Sequence, residues 1–160
     1  YAHCYAFGRY DLAAAGIEAK AVELICDKCQ IGPGDLSSPW GPQHEPIAFL
    51  VKTNTWDVAC HQGAGPARRR KGSVLRIPRL SGCAVSRHPT EKPVALMREL
   101  IESSTRIGET VLDPFMGVGS TLVAAMAEGR RAIGIELDEG YCEAAAERLR
   151  QCVLPMWEAL

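Results

Sequence analysis

Apolar positions fall in short runs, separated by clusters of Gly, Pro and charge, and the period of the runs changes along the chain. Residues 2–7 mix aromatic and small side chains and read as a buried strand. Residues 11–15 suit a short helix, stopped at Gly16. Residues 20–27 (Lys-Ala-Val-Glu-Leu-Ile-Cys-Asp) alternate in part, as a second strand does. Residues 30–46 are rich in Gly and Pro and read as a loop; residues 46–52 (Pro-Ile-Ala-Phe-Leu-Val-Lys) read as a third strand. The period then lengthens. Pro93 suits a first helical turn, and Val94, Met97 and Ile101, with Leu96 and Leu100, line one face of a helix through Ser104. That face is expected to pack on a sheet.

Residues 111–136 carry the most definite pattern. Val111 and Leu112 lead into Asp113, and Pro114 cannot donate to a ladder, so a strand should stop there. Gly117 and Gly119 allow a tight turn and a close approach of backbone to a ligand. Ser120 and Thr121 can cap a helix running through Leu122, Val123, Ala125 and Met126 to Gly129, a good stop. Residues 131–136 (Arg-Ala-Ile-Gly-Ile-Glu) form a further short strand that ends in an acid. Asp138 can cap a last helix whose Tyr141, Ala144, Ala145, Leu149 and Cys152 share a face. Residues 153–160 read as a ragged tail, with Trp157 packing back on the domain.

A strand, a Gly-rich turn and a helix make the first unit of a nucleotide-binding α/β sheet, with its ligand outside the carboxyl end of the strand. Glu136 follows the turn by about twenty residues, where dinucleotide folds place the carboxylate that accepts ribose hydroxyls. The turn differs from the NAD fingerprint Gly-x-Gly-x-x-Gly and lacks the Lys of a phosphate-binding P-loop.

Composition narrows the class. With 160 residues, 47% of them apolar, the chain can build a real core and is not disordered. No apolar run approaches a membrane span, and no signal-peptide pattern is present. Seven cysteines without a secretory signal suit free thiols in a reducing cytoplasm. The formal net charge is −1, so nucleic-acid binding would need a local patch. Residues 61–92 supply one. They hold Arg68, Arg69, Arg70, Lys71, Arg76, Arg79, Arg87 and Lys92 against a single acid, Glu91. Such a cluster can neutralise phosphates and release counterions. Gly63, Gly65, Pro66 and Gly72 make a flexible loop of it. Cys26 and Cys29, with Cys60 and His61, have a spacing that zinc could use. One pair lies at a strand end, however, and no metal is expected.

Asp113-Pro-Phe-Met-Gly-Val-Gly-Ser-Thr121 resembles the S-adenosylmethionine motif of the amino-group (N6-adenine or N4-cytosine) DNA methyltransferases, Asp-Pro-Phe-x-Gly-x-Gly-Thr. Gly134-Ile-Glu-Leu-Asp-Glu-Gly-Tyr141 is similar to that family's next motif. His88-Pro-Thr-Glu-Lys-Pro93 resembles the segment that folds over the methionine end of the cofactor. With the cofactor motif last, the order resembles the permuted β class. The resemblance is close over residues 86–150 and loose over residues 1–52.

It implies an α/β, Rossmann-like methyltransferase sheet with helices on both faces, divided into four parts. Residues 1–52 would be the distal half of the sheet, 53–87 a basic target-recognition-like loop, 88–152 the cofactor-binding half and 153–160 the tail. S-adenosylmethionine would be held by Thr90, Lys92, Asp113, Pro114, Phe115, Gly117, Gly119, Ser120, Thr121 and Glu136. Double-stranded DNA would meet Arg68, Arg69, Arg70, Lys71, Arg76 and Arg79, with Trp40 in the Gly/Pro loop as a contact for a flipped base. The implied activity is methylation of an exocyclic base amine in DNA, adenine N6 ahead of cytosine N4, as in restriction-modification. One departure matters: the family's catalytic Asp/Ser/Asn-Pro-Pro-aromatic motif is absent, since no Pro-Pro dipeptide occurs in the chain. In the permuted class it would lie upstream of Tyr1, with further strands. The chain is therefore expected to be a C-terminal portion, completed by an upstream segment or a homodimer partner, and no catalytic base is assigned. A non-catalytic DNA-binding remnant or subunit is the alternative, and a methyltransferase of RNA or of a small molecule a third.

Overall fold

A computed structural model of the chain describes residues 3–8, 19–32, 37–52, 71–78 and 91–157. It divides into two compact units, Tyr1–Arg79 and Leu80–Leu160. The expected helix at 11–15 lies outside the described residues.

The first unit is a four-stranded sheet of order β1-β3-β2-β4, with β1 at His3–Phe7, β2 at Ala19–Asp27, β3 at His44–Lys52 and β4 at Val74–Arg76. β3 runs antiparallel to both β1 and β2. As an inner strand it buries both faces, Ile47 and Val51 on one and Leu50 on the other. Phe49 stands opposite Tyr5 and Val22; it stacks on Tyr5 at 5.0 Å between centroids and meets the edge of His3 at 5.1 Å.

β4 corrects one expectation. The basic stretch is not loop throughout, because Val74–Arg76 pairs parallel with β2. The Ile25 N–H donates to the Ser73 carbonyl and the Ile77 N–H to that of Asp27. The outer edge of β2 has unmet backbone groups, and a short Val-Leu-Arg run is able to satisfy them.

The second unit is built on two parallel strands, β5 (Thr110–Asp113) and β6 (Arg131–Gly134), joined through helix α2 (Ser120–Ala127). Helix α1 (Val94–Ser104) precedes them and α3 (Glu139–Trp157) follows. The apolar stripe of α1 is as expected, with Leu96, Met97, Leu100 and Ile101 buried. Its principal partner is α2, not the strands. A two-stranded sheet offers one helix's width of apolar surface, and α2 takes it. The opposite face of the pair carries Leu112, Ile133 and Ile135 exposed.

Chain reversals occur where backbone freedom exists. Gly129 ends α2 at φ +71° and Gly108 turns at φ +83°. Gly134 on β6 is required by packing: a Cβ there would collide with Met116 Sδ and touch both Leu122 methyls. Buried Arg130 ties the ends of α1 and α2 together. Its guanidinium donates to the Thr105 hydroxyl at 3.0 Å, the Thr105 carbonyl at 2.8 Å and the Glu128 carbonyl. The expected tail is also corrected, since α3 continues through Trp157. Residues 148–154 (Arg-Leu-Arg-Gln-Cys-Val-Leu) contain no helix breaker, and Pro155 comes only in the last turn.

Candidate functional site

The carboxyl ends of β5 and β6 meet in one continuous web of backbone bonds. The Ile135 N–H donates to the Asp113 carbonyl at 2.9 Å, and the Met116 N–H to the Ile135 carbonyl at 3.0 Å. The Asp113 side chain accepts from the Phe115 N–H at 3.0 Å. Asp-Pro therefore closes into an Asx turn that stops the strand. Glu136 then bridges the two motifs. One carboxylate oxygen accepts from the Gly117 N–H at 3.0 Å; the other accepts from the N–H groups of Leu137 and Asp138 at 2.8 and 3.1 Å. The acid is thus fixed beside the turn.

The two turn glycines differ. Gly117, at φ +50°, has nothing within 4 Å of the place a Cβ would occupy. Gly119, at φ +77°, is the residue where the turn becomes α2, and a Cβ on it would stand 3.0 Å from that of Ala145 in α3. One leaves room on the open side of the turn, and the other lets a neighbouring helix approach it from behind. Two large apolar side chains flank this framework in sequence and are bare: Phe115 is 87% and Leu137 100% exposed.

Ser120 departs from expectation. Gly119, and not Ser120, is the N-cap, and no side chain caps the helix. Ser120 is buried; its hydroxyl donates to Glu91 at 3.5 Å and accepts from Arg148 at 3.3 Å. Thr121 is half-buried and Pro114 exposed. Asp138 does cap α3, accepting from the Tyr141 N–H at 3.0 Å. Lys92 is described just ahead of α1, whereas Thr90 lies outside the described residues.

Glu91 and Arg148 were not singled out from the sequence. Arg148 left a trace there: it falls within the stripe of Ala144, Ala145 and Leu149, and a charge on an apolar face calls for a partner. Glu91 left none beyond being the single acid in a basic stretch.

In the first unit, Trp40 is 85% exposed in a loop closed by the Ser38 hydroxyl, which binds both its N–H and its carbonyl at 3.2 Å. Lys71 and Arg76 are exposed, while Arg68, Arg69, Arg70 and Arg79 lie outside the described residues. Asp27 organises the strand ends nearby. Its carboxyl accepts from the Cys29 N–H and the Gln43 amide, with Arg76 4.0 Å away. The Cys29 N–H above all, then Gln43, holds its pKa below the usual carboxylate range. Cys26 is buried and Cys29 exposed, and Cys60 and His61 lie outside the described residues. Among the described residues no group of three or more His, Cys, Asp or Glu could hold a metal, and no helix is long and apolar enough to cross a membrane.

Comparison with known proteins gives the family. A DNA methylase family, N6_N4_Mtase, matches residues 26–147. YubD of Escherichia coli (strain K12), provisionally named a methylase, is 60% identical over 62 residues, 39% of this chain and 27% of its own. The type II methyltransferase M2.DpnII of Streptococcus pneumoniae is 46% identical over 63 residues, 39% of this chain and 24% of its own. The match thus spans about a quarter of these curated relatives. The solved complex of M1.HpyAVI with SAM shares the Rossmann-like fold, at TM-score 0.72 and 24% identity over 92% of this chain and 74% of that one. The family match covers well over half of the sequence, and the chain belongs to the N6/N4 DNA methylase family.

Proposed function

We propose that the second unit binds S-adenosylmethionine at the turn between β5 and α2, and that the chain serves methyl transfer to an exocyclic amine of a DNA base. The bond from the Gly117 N–H to Glu136 carries this reading, because it joins the Gly-rich turn and the strand-end acid outside the carboxyl ends of two parallel strands. The residues suit the cofactor. Gly117 leaves open space on the turn, and α2 presents its amino end there. Three N–H donors orient the Glu136 carboxylate beside the turn, where such an acid can accept ribose hydroxyls. Exposed Phe115 and Leu137 suit the two sides of an adenine ring. Thr90 and Lys92 would serve the methionine end, where an ammonium suits a carboxylate. Asp113 and Pro114 hold the shape of the turn, with Gly119, Ser120 and Thr121 at its junction with α2.

Bound S-adenosylmethionine would supply an electrophilic methyl group on a sulfonium: an amine attacking that carbon in line releases the neutral thioether and then gives up a proton. The chain's part is to hold and orient the reactants, where most of the rate gain in such a transfer arises. Arg68, Arg69, Arg70, Lys71, Arg76 and Arg79 would bind phosphates, and Trp40 would stack on a displaced base. Adenine N6 is preferred to cytosine N4. The chain has no Pro-Pro motif, and a methylation assay without a segment that carries one is expected to be silent. A second reading is a non-catalytic subunit that binds DNA; under it the assay stays silent even when a segment carrying the motif is supplied.

Calorimetric titration of S-adenosylmethionine, with Asp113→Ala in parallel, tests the first reading. Saturable binding that the variant loses supports it. A folded chain that binds no cofactor refutes it and leaves DNA binding to be measured, with RNA as competitor.

A further inference from the structure

Three residues far apart in sequence meet behind the Gly-rich turn. Glu91 precedes α1, Ser120 opens α2 and Arg148 lies in the third turn of α3. The Glu91 side chain is 2% exposed and pairs with Arg148 at 2.8 Å. The same guanidinium nitrogen, Nη1, also donates to the Val118 carbonyl and the Ser120 hydroxyl, both at 3.3 Å. Val118 and Ser120 are the two neighbours of Gly119, the left-handed residue at which the turn becomes a helix.

Stability alone does not account for this arrangement. Removing two charges from water costs much of what their attraction returns, and an apolar pair of equal volume often holds a core as well. An apolar pair, however, has no direction. Nη1 holds a carbonyl and a hydroxyl on either side of Gly119, and so constrains the backbone that would otherwise be free to choose among several turns. The partner carboxylate belongs to the residue between Thr90 and Lys92. One ion pair therefore links the turn to the other segment that the cofactor reading invokes.

We infer that Glu91 and Arg148 are a positioning pair, which sets the Gly-rich turn and the segment at residues 91–92 in the geometry that S-adenosylmethionine requires. Neither residue contacts the cofactor. The inference rests on the cofactor reading above and adds to it the means by which the apo site is shaped.

The test uses Arg148→Met, Glu91→Gln and the double apolar swap Glu91→Met with Arg148→Met. Each is measured for thermal midpoint, cofactor affinity by calorimetry, and amide exchange at Gly117, Gly119 and Val123. Arg148→Met is expected to weaken S-adenosylmethionine roughly 10- to 100-fold, the worth of one hydrogen bond to a charged group, and to speed exchange at the three amides. Glu91→Gln, which still accepts from Arg148, should retain most of the affinity. The double swap should recover the midpoint lost in Arg148→Met while affinity stays low and exchange fast. Recovery of both stability and affinity in the double swap would overturn the inference, because filling the space would then suffice. So would wild-type affinity and exchange in Arg148→Met. Failure of the unmodified chain to bind cofactor would overturn the cofactor reading instead, and amide exchange still decides whether the pair holds the turn.

Discussion

Alanine at the two turn glycines separates folding from binding. At Gly119 the backbone sits at φ +77°, a left-handed conformation that costs a residue with a Cβ about 1–2 kcal/mol. The added methyl also stands 3.0 Å from Ala145 Cβ, inside ordinary contact distance. Relieving that overlap in a packed helix contact costs about 1–3 kcal/mol. Against these, alanine restricts the unfolded chain and returns about 0.4–1 kcal/mol. The net expectation for Gly119→Ala is a loss of about 2–4 kcal/mol. Gly117→Ala meets nothing within 4 Å, carries only the backbone cost and should lose about 1 kcal/mol. Urea unfolding reads both. Binding should rank them the other way, relative to their stability: the Gly117 methyl enters the open side of the turn and should abolish cofactor binding in a chain that still folds. Adding Ala145→Gly to Gly119→Ala removes the opposing methyl, and a double-mutant cycle should give a favourable coupling of about 1–2 kcal/mol. Equal costs at the two glycines, or zero coupling with Ala145, would refute this account of the turn.

Other outcomes follow from single sites. Arg130→Ala should destabilise the second unit by about 2–4 kcal/mol, because the Thr105 and Glu128 carbonyls lose a buried charged donor; a denaturation midpoint shift of only a few tenths of a kcal/mol would contradict it. Arg98→Ala removes an ion pair of 2.6 Å to Glu128 whose Arg side chain is 55% exposed, and should cost well under about 1 kcal/mol in the same assay. Asp27, with its pKa lowered by the Cys29 N–H, stabilises the folded chain above the ordinary carboxylate range, and that stability is lost as pH falls through the lowered value. The stability gap between wild type and Asp27→Asn should therefore be level near neutrality and shrink below about pH 4; a gap that widens on acidification would reverse the sign. Trp40→Ala should leave the melting temperature unchanged, given its 85% exposure, and weaken DNA by about 1–3 kcal/mol if the ring stacks on a base.

Local chemistry determined much of this protein. The residues that form β2, β3, β5, β6 and the three described helices were legible because period, proline and glycine act within a few positions of themselves. Asp113-Pro-Phe with Gly117 and Gly119 specifies its turn through an Asx bond and two positive φ angles, and each of these is a property of neighbouring residues. Glu136 could be marked by spacing alone, since a strand-turn-helix-strand unit has a nearly fixed length.

What the sequence left open depends on which elements come together. Val74–Arg76 looked like part of a basic loop, and it becomes a strand because the edge of β2 stands beside it. The stripe on α1 was correct in its residues and not in its partner, since an apolar face records that it must be covered and not by what. Ser120 was expected to cap a helix by local preference, yet its hydroxyl turns to Glu91 and Arg148, 29 and 28 residues away. A buried ion pair has no period and no fixed spacing; it exists where folding brings two charges out of water together, and only the tertiary structure decides that.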